Sequence, residues 1–479
     1  MRFIVKNFGP IKYANVKLGN LTVFIGPGGT GKSYLAYLIW ILQSMEPDWK
    51  SLADNIYTLN EFIDLCFTIS GEYKKLGLDD VEFDEDFTYR LLTEVMKAVQ
   101  NSYEKVLAEY LKDTFRVSNV EELINVDANR CEIRICSDDL SKEVNILIEK
   151  NRDIKIKGFD KLINRGDYII EFDKSKNVIE LRFKDQTVFQ EYIPTNADVG
   201  EVSGIVYDLI IRAVPHVMIW HLDGFCTWKA GYILTDSKSG FLRFAPSLIR
   251  YVLLEARRKE EFPMGYPDIH MLSKLVIDRK IIKNEKIGKI ADFLEKAVGG
   301  EVHIETEGLV FPEMFYRRCE FSVPILRAHS GVRELAPLIV YLRYVIGERG
   351  AFVVIEEPET HLHPYMQSIV TRALVMLSKC ETDVLITTHS PIILDELDNL
   401  IKLNELSPEE KKKLGYEEDE GLNHESLRIY RFKLDGTVEE VKVTKDGIEE
   451  EEFSSVIMEL SNRHADVEEA VWRKLHENR

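Results

Sequence analysis

The run Phe24-Ile25-Gly26-Pro27-Gly28-Gly29-Thr30-Gly31-Lys32-Ser33 constrains this chain more than any other stretch. Gly26 to Ser33 fits G-x-x-x-x-G-K-S/T, the phosphate-binding loop. An apolar run, Leu21 to Ile25, precedes it as a buried strand, and an amphipathic run from Ser33 to Met45 follows as a helix. The chemistry needs this layout. Glycines let backbone N–H groups wrap an anion without Cβ clashes, and the helix N-terminus adds its positive dipole. The pattern therefore predicts an α/β nucleotide-binding fold. Gly26, Pro27, Gly28, Gly29, Thr30, Gly31, Lys32, Ser33 and the adjoining Tyr34 are expected to bind a nucleoside triphosphate. Lys32 is expected to reach the β- and γ-phosphates, and the Ser33 hydroxyl to ligate Mg²⁺.

Two later stretches complete that chemistry. Phe352-Val353-Val354-Ile355 is an apolar strand that ends in Glu356-Glu357-Pro358-Glu359. In phosphate-loop NTPases an acid at that strand end holds the metal, a role assigned here to Glu356. Glu357, one residue on, is placed to polarise the attacking water as a general base. Solvated acids at a strand end are a poor alternative, because three carboxylates crowd one turn. Val384-Leu385-Ile386-Thr387-Thr388-His389-Ser390 is another buried strand, ending in a histidine ahead of Pro391. Alone, His389 reads as a structural histidine. One strand after the acids, it becomes a candidate γ-phosphate sensor.

At 479 residues the chain exceeds one core and suggests two or three lobes. A formal charge of −19 argues against coating nucleic acid by charge alone. The interval 250–290 nevertheless carries ten Lys/Arg against six acids, a candidate for phosphate-backbone contact as well as a solvated face. Six cysteines without a C-x-x-C read as free thiols in a reducing, cytoplasmic setting, with Cys131 and Cys136 on one strand. The chain opens on Arg2-Phe3-Ile4-Val5 with no signal-peptide pattern, and its apolar runs are too short to span a bilayer, so no membrane partner is expected.

Periodicity gives the remaining frame. Residues 2–7 and 12–18 alternate as strands around Gly9-Pro10, and Leu92 to Phe115 repeats apolar positions at helical spacing. Residues 131–190 read as a β-rich insertion with strands at 131–136, 144–148, 154–157, 168–172 and 178–183. Helices are expected from about Val202, at Ser247–Phe262 and at Glu285–Val298. A hairpin is expected around Leu434-Asp435-Gly436.

These pieces, with Ala328-His329-Ser330-Gly331-Val332-Arg333-Glu334 ahead of a helix, resemble the ABC-class ATPases of the SMC, RecF and OLD group. The nearest resemblance is to the stand-alone AAA-type ATP-binding proteins with a Glu-Glu-Pro-Glu motif. Glu356 to Pro364 with Gln367 matches that group's Walker B and D-loop. Thr388-His389-Ser390-Pro391 matches its switch histidine, and Asn7-Phe8-Gly9-Pro10-Ile11 its first strand and turn. The match covers roughly residues 1–45 and 320–445.

The resemblance implies an ABC-type head, with a mixed sheet built from both chain ends and a helical and β-rich insertion. It implies ATP hydrolysis with Mg²⁺, and a homodimer that sandwiches ATP. In that dimer Ser330 and Gly331 form the signature loop, meeting the γ-phosphate held by a second copy. Val332 replaces the second signature glycine. Thr235 to Gly240 resembles the group's Pro-Ala-x-Arg-x-Gly segment, with Lys238 in the arginine's place. The division expected is residues 1–49 and 320–445 as the head, 50–319 as an inserted lobe and 446–479 as a helical tail. Two partners stay open: duplex DNA gripped by the middle lobes, or a separately encoded effector protein switched by ATP.

Overall fold

The computed structural model describes residues 1–45, 48–70, 84–173, 175–184, 186–221, 230–236, 240, 266–276, 284–305, 313–346, 351–449 and 452–476. Strands β1 (Arg2–Phe8), β2 (Ile11–Lys17) and β3 (Leu21–Ile25) lead into helix α1 (Lys32–Ser44). Helices α2 (Trp49–Ile56), α3 (Asn60–Ser70) and α4 (Glu85–Phe115) follow. Asp84 caps α4 by accepting from the Phe87 amide, and Arg116 ends it in the left-handed region at φ 54°. Next come β4 (Arg130–Cys136), β5 (Glu143–Glu149), β6 (Lys155–Lys157), β7 (Tyr168–Asp173), β8 (Val178–Phe183) and β9 (Gln186–Tyr192). The middle closes with α5 (Val199–His221), β10 (Ala230–Leu234), α6 (Tyr266–Val276), α7 (Glu285–Val298), β11 (Glu301–Glu305), β12 (Glu313–Arg318) and β13 (Phe321–Pro324). The last part holds α8 (Ser330–Val340), β14 (Ala351–Glu356), α9 (Pro364–Ser378), β15 (Asp383–Thr387), α10 (Pro391–Lys402), β16 (Leu427–Phe432), β17 (Val438–Val441) and α11 (Glu452–His476).

The sheet that carries the site has the order β10-β14-β15-β3-β16-β17, parallel except for the β16–β17 hairpin. Its central strands are continuous apolar runs because both faces are covered: every residue of β3 and of β14 is buried. Alternate residues feed opposite cores. Phe24, Phe352, Val354, Leu385, Tyr430 and Phe432 pack toward α1 and α4. Val23, Ile25, Val353, Ile355, Ile386 and Ile429 pack toward α7 to α10. The crevice beyond the carboxyl ends of the parallel strands is where such sheets bind ligands.

Both chain ends build this sheet, as the sequence implies, but its β10 edge comes from the middle of the chain. The stretch 131–190 divides in two. Strands β4 to β6 extend the antiparallel β1–β2 pair into a five-stranded sheet of order β2-β1-β4-β5-β6. They do so because Cys131, Ile133 and Ile135 point into the same core as Phe3 and Val5. Strands β7, β8 and β9 form a separate sheet. The sequence reading misses β9, whose residues are half-buried or exposed along an edge and carry no clean alternation. It also passes over β11 to β13, a sheet of its own. Ser247–Phe262, Lys238, Cys226 and most of the basic interval lie outside the described residues; Lys274, Lys286 and Lys289 are among those inside. Among the described residues no helix is long and apolar enough to cross a membrane.

Candidate active site

The loop after β3 is shaped by two glycines that nothing else could replace. Gly26 has φ 130°, and a Cβ there would lie 2.3 Å from the Phe432 carbonyl oxygen. Gly31, at φ 101°, caps α1, and its Cβ would lie 2.7 Å from Ile11 Cγ1. Gly28 and Gly29 differ: a Cβ on either meets nothing within 4 Å. That side of the loop is open, as a phosphate cradle must be. Thr30 Oγ1 donates to the Pro27 carbonyl at 2.8 Å and closes the turn.

Lys32 folds back over the loop, donating from Nζ to the carbonyls of Gly26 at 2.9 Å and Pro27 at 2.8 Å. Burial pulls its ammonium down to about 8, while the carboxylates of Glu357 and Glu359 hold it up in part. Tyr34 stands aside from the loop. Its ring packs against Phe8 and Phe115 and covers Gly9.

Glu356 closes β14 and is buried at 4% exposure. It accepts a hydrogen bond from the Tyr37 phenol and faces the backbone N–H of Asp236, just beyond β10, and the Ser33 hydroxyl lies close enough to favour its charge. Burial pushes its carboxyl up, and the Ser33 and Tyr37 donors oppose that shift. A hydroxyl and a carboxylate meeting beside the phosphate loop form an oxygen donor pair that suits Mg²⁺, which takes few protein ligands and completes its shell with water and phosphate.

Glu357 adopts φ 40°, a left-handed backbone that costs a non-glycine residue about 1–3 kcal/mol. The turn carries its side chain off the end of the strand. Its amide donates to the Thr387 carbonyl at 2.9 Å, and its carboxylate accepts from Thr360 Oγ1 at 3.2 Å. His389 Nε2 lies 3.5 Å from Glu357 Oε1, both side chains being 39% exposed. Glu359 Oε1 accepts from Thr388 Oγ1 and from the His389 amide, each at 2.7 Å. Gln367 Oε1 accepts from Ser390 Oγ at 2.6 Å, while that same hydroxyl caps α10 through the Ile392 amide. The segment after β14 is thus clipped to the segment after β15.

The structure brings together Lys32, Ser33, Glu356, Glu357 and His389 at one end of the sheet. Ser330, exposed, and Gly331, half-buried, open the first turn of α8 behind the N-cap His329. Sequence reasoning assigned nothing to Tyr37, Asp236 or Glu359. A signal existed for Tyr37, four residues after Ser33 and therefore on the same helix face. Asp236 lies in the Thr235–Gly240 segment, but only the pairing of β10 with β14 places it beside Glu356.

The family model of the AAA ATPase domain matches residues 1–224 and 253–394. The chain belongs to this family. Among curated proteins, this chain is 32% identical over 130 residues to protein ea59 of Escherichia phage lambda. The match covers 27% of this chain and 24% of ea59, so it spans about a quarter of that relative's length. Similar solved structures include an SMC head bound to the C-winged helix domain of ScpA, at 11% identity and TM-score 0.41, covering 92% of this chain and 96% of that one. The SMC head domain from Thermotoga maritima aligns at 10% identity and TM-score 0.34, covering 92% and 98%. A Smc head with an extended coiled coil, bound to the C-terminal domain of ScpA derived from Pyrococcus furiosus, aligns at 12% identity and TM-score 0.37, covering 96% and 98%.

Proposed function

We propose that this AAA ATPase hydrolyses ATP between two copies of itself and uses the cycle to grip and release duplex DNA. The observation that carries the chemistry is the meeting of Glu357 and His389 at 3.5 Å, beside the loop whose Lys32 feels the Glu357 charge. Glu357 accepts the proton of the attacking water, and His389 and Lys32 bind the γ-phosphate oxygens as charge moves onto them. Ser33 and Glu356 would hold Mg²⁺, which neutralises the phosphate oxygens when bound. Ser330 and Gly331 of a second copy complete the site with a helix N-terminus. In this reading residues 1–49 and 320–445 are the head, with β4 to β6 and β10 contributed by the 50–319 lobe, and 446–479 is the tail.

The net charge of −19 favours a second reading, a nucleotide switch for a separately encoded effector protein. ATP turnover with and without linear duplex DNA separates the two. Stimulation that fades with added salt supports DNA. Turnover indifferent to DNA, with a protein that copurifies in the ATP state and leaves on hydrolysis, supports the effector.

A further inference from the structure

We propose that Tyr37 is a positioning residue that fixes the Glu356 carboxylate for Mg²⁺. The inference rests on the metal reading above and adds a residue that neither the phosphate loop nor the strand motif contains. Ser33 and Tyr37 stand one turn apart on α1, so both reach across to the end of β14. Ser33 would have its hydroxyl oxygen on the metal. Tyr37 has no such duty, and its phenol donates to Glu356 Oε2 from a distance of 319 residues in sequence.

The surroundings make that hydrogen bond specific. Glu356 is buried, so a free carboxylate there would rotate to find donors. The Asp236 amide, just beyond β10, and the Tyr37 phenol, on α1, approach it from two sides, with the Ser33 hydroxyl nearby. The carboxylates of Asp236 and Asp268 also lie near the Tyr37 phenol. The ring itself needs no hydroxyl for its packing contact with Phe115. A structural role alone would be served by phenylalanine.

The test is Mg²⁺ titration of fluorescent ATP-analogue binding by the full chain, a readout that needs no turnover. For Tyr37→Phe the Mg²⁺ concentration at half-saturation is expected to rise about tenfold, the usual effect of losing a residue behind a metal ligand. Analogue affinity in EDTA should stay within about twofold of the parent, since the phosphate loop is untouched. An unchanged half-saturation point would overturn the inference. So would equal losses with Mg²⁺ and in EDTA, which mark a general structural defect. Ser33→Ala, run alongside, separates the levels. If it leaves the Mg²⁺ dependence unmoved, the metal reading itself fails; if only Ser33→Ala moves it, the assignment of Tyr37 fails alone.

Discussion

Lys32 gives the sharpest quantitative handle on the site. Its ammonium is buried under the carbonyls of Gly26 and Pro27, and burial lowers it to about 8. Bound triphosphate adds negative charge beside it and raises it again. Binding then takes up a proton whenever the pH lies between the free and bound values. The sign follows: affinity is full below pH 8 and falls as pH rises above it. At pH 9 about one free lysine in ten is still charged, so ATP affinity should be about tenfold weaker than at pH 7, or about 1.4 kcal/mol. Titration calorimetry in two buffers of different ionisation heat measures both quantities. Uptake should approach about one proton per nucleotide at pH 9 and be small at pH 7. Lys32→Arg, whose guanidinium stays charged, should give a flat profile over that range. Equal affinity of the parent at pH 7 and pH 9 without proton uptake would refute the reasoning.

Two further substitutions probe the frame around it. Gly26→Ala drives a methyl to 2.3 Å from the Phe432 carbonyl and forces an alanine to φ 130°; it should cost more than about 2 kcal/mol, seen as earlier thermal unfolding, and abolish nucleotide binding. Glu359→Ala removes the acceptor that holds Thr388 and the His389 amide; steady-state kinetics should give a turnover at least about tenfold slower, with ATP affinity within about twofold.

The parts of the candidate site stand out in the sequence because they are local. Gly26 to Ser33, Glu356-Glu357 and Thr388-His389 are each contiguous, each follows an apolar run, and the sheet only has to set those runs side by side. What stayed hidden depends on contacts between distant segments. Tyr37 looks like one more aromatic on an amphipathic helix until β14 is packed beside it. Asp236 gains meaning only from the register that pairs Leu234 with Ile355. The allegiance of β4 to β6 was lost for the same reason, since alternation identifies a strand but not its neighbour. Tyr34 adjoins the loop, and its ring packs on Phe8 and Phe115.

The central claim is that Glu357 supplies the base for hydrolysis in a site closed by a second copy. The measurement that tests it most directly compares purified parent and Glu357→Gln protein for ATP binding, turnover and mass in solution with ATP and Mg²⁺. The account predicts that the variant binds ATP as the parent does, loses turnover by at least about a hundredfold, and accumulates as a dimer. A variant that turns over ATP at the parent's rate would contradict the account.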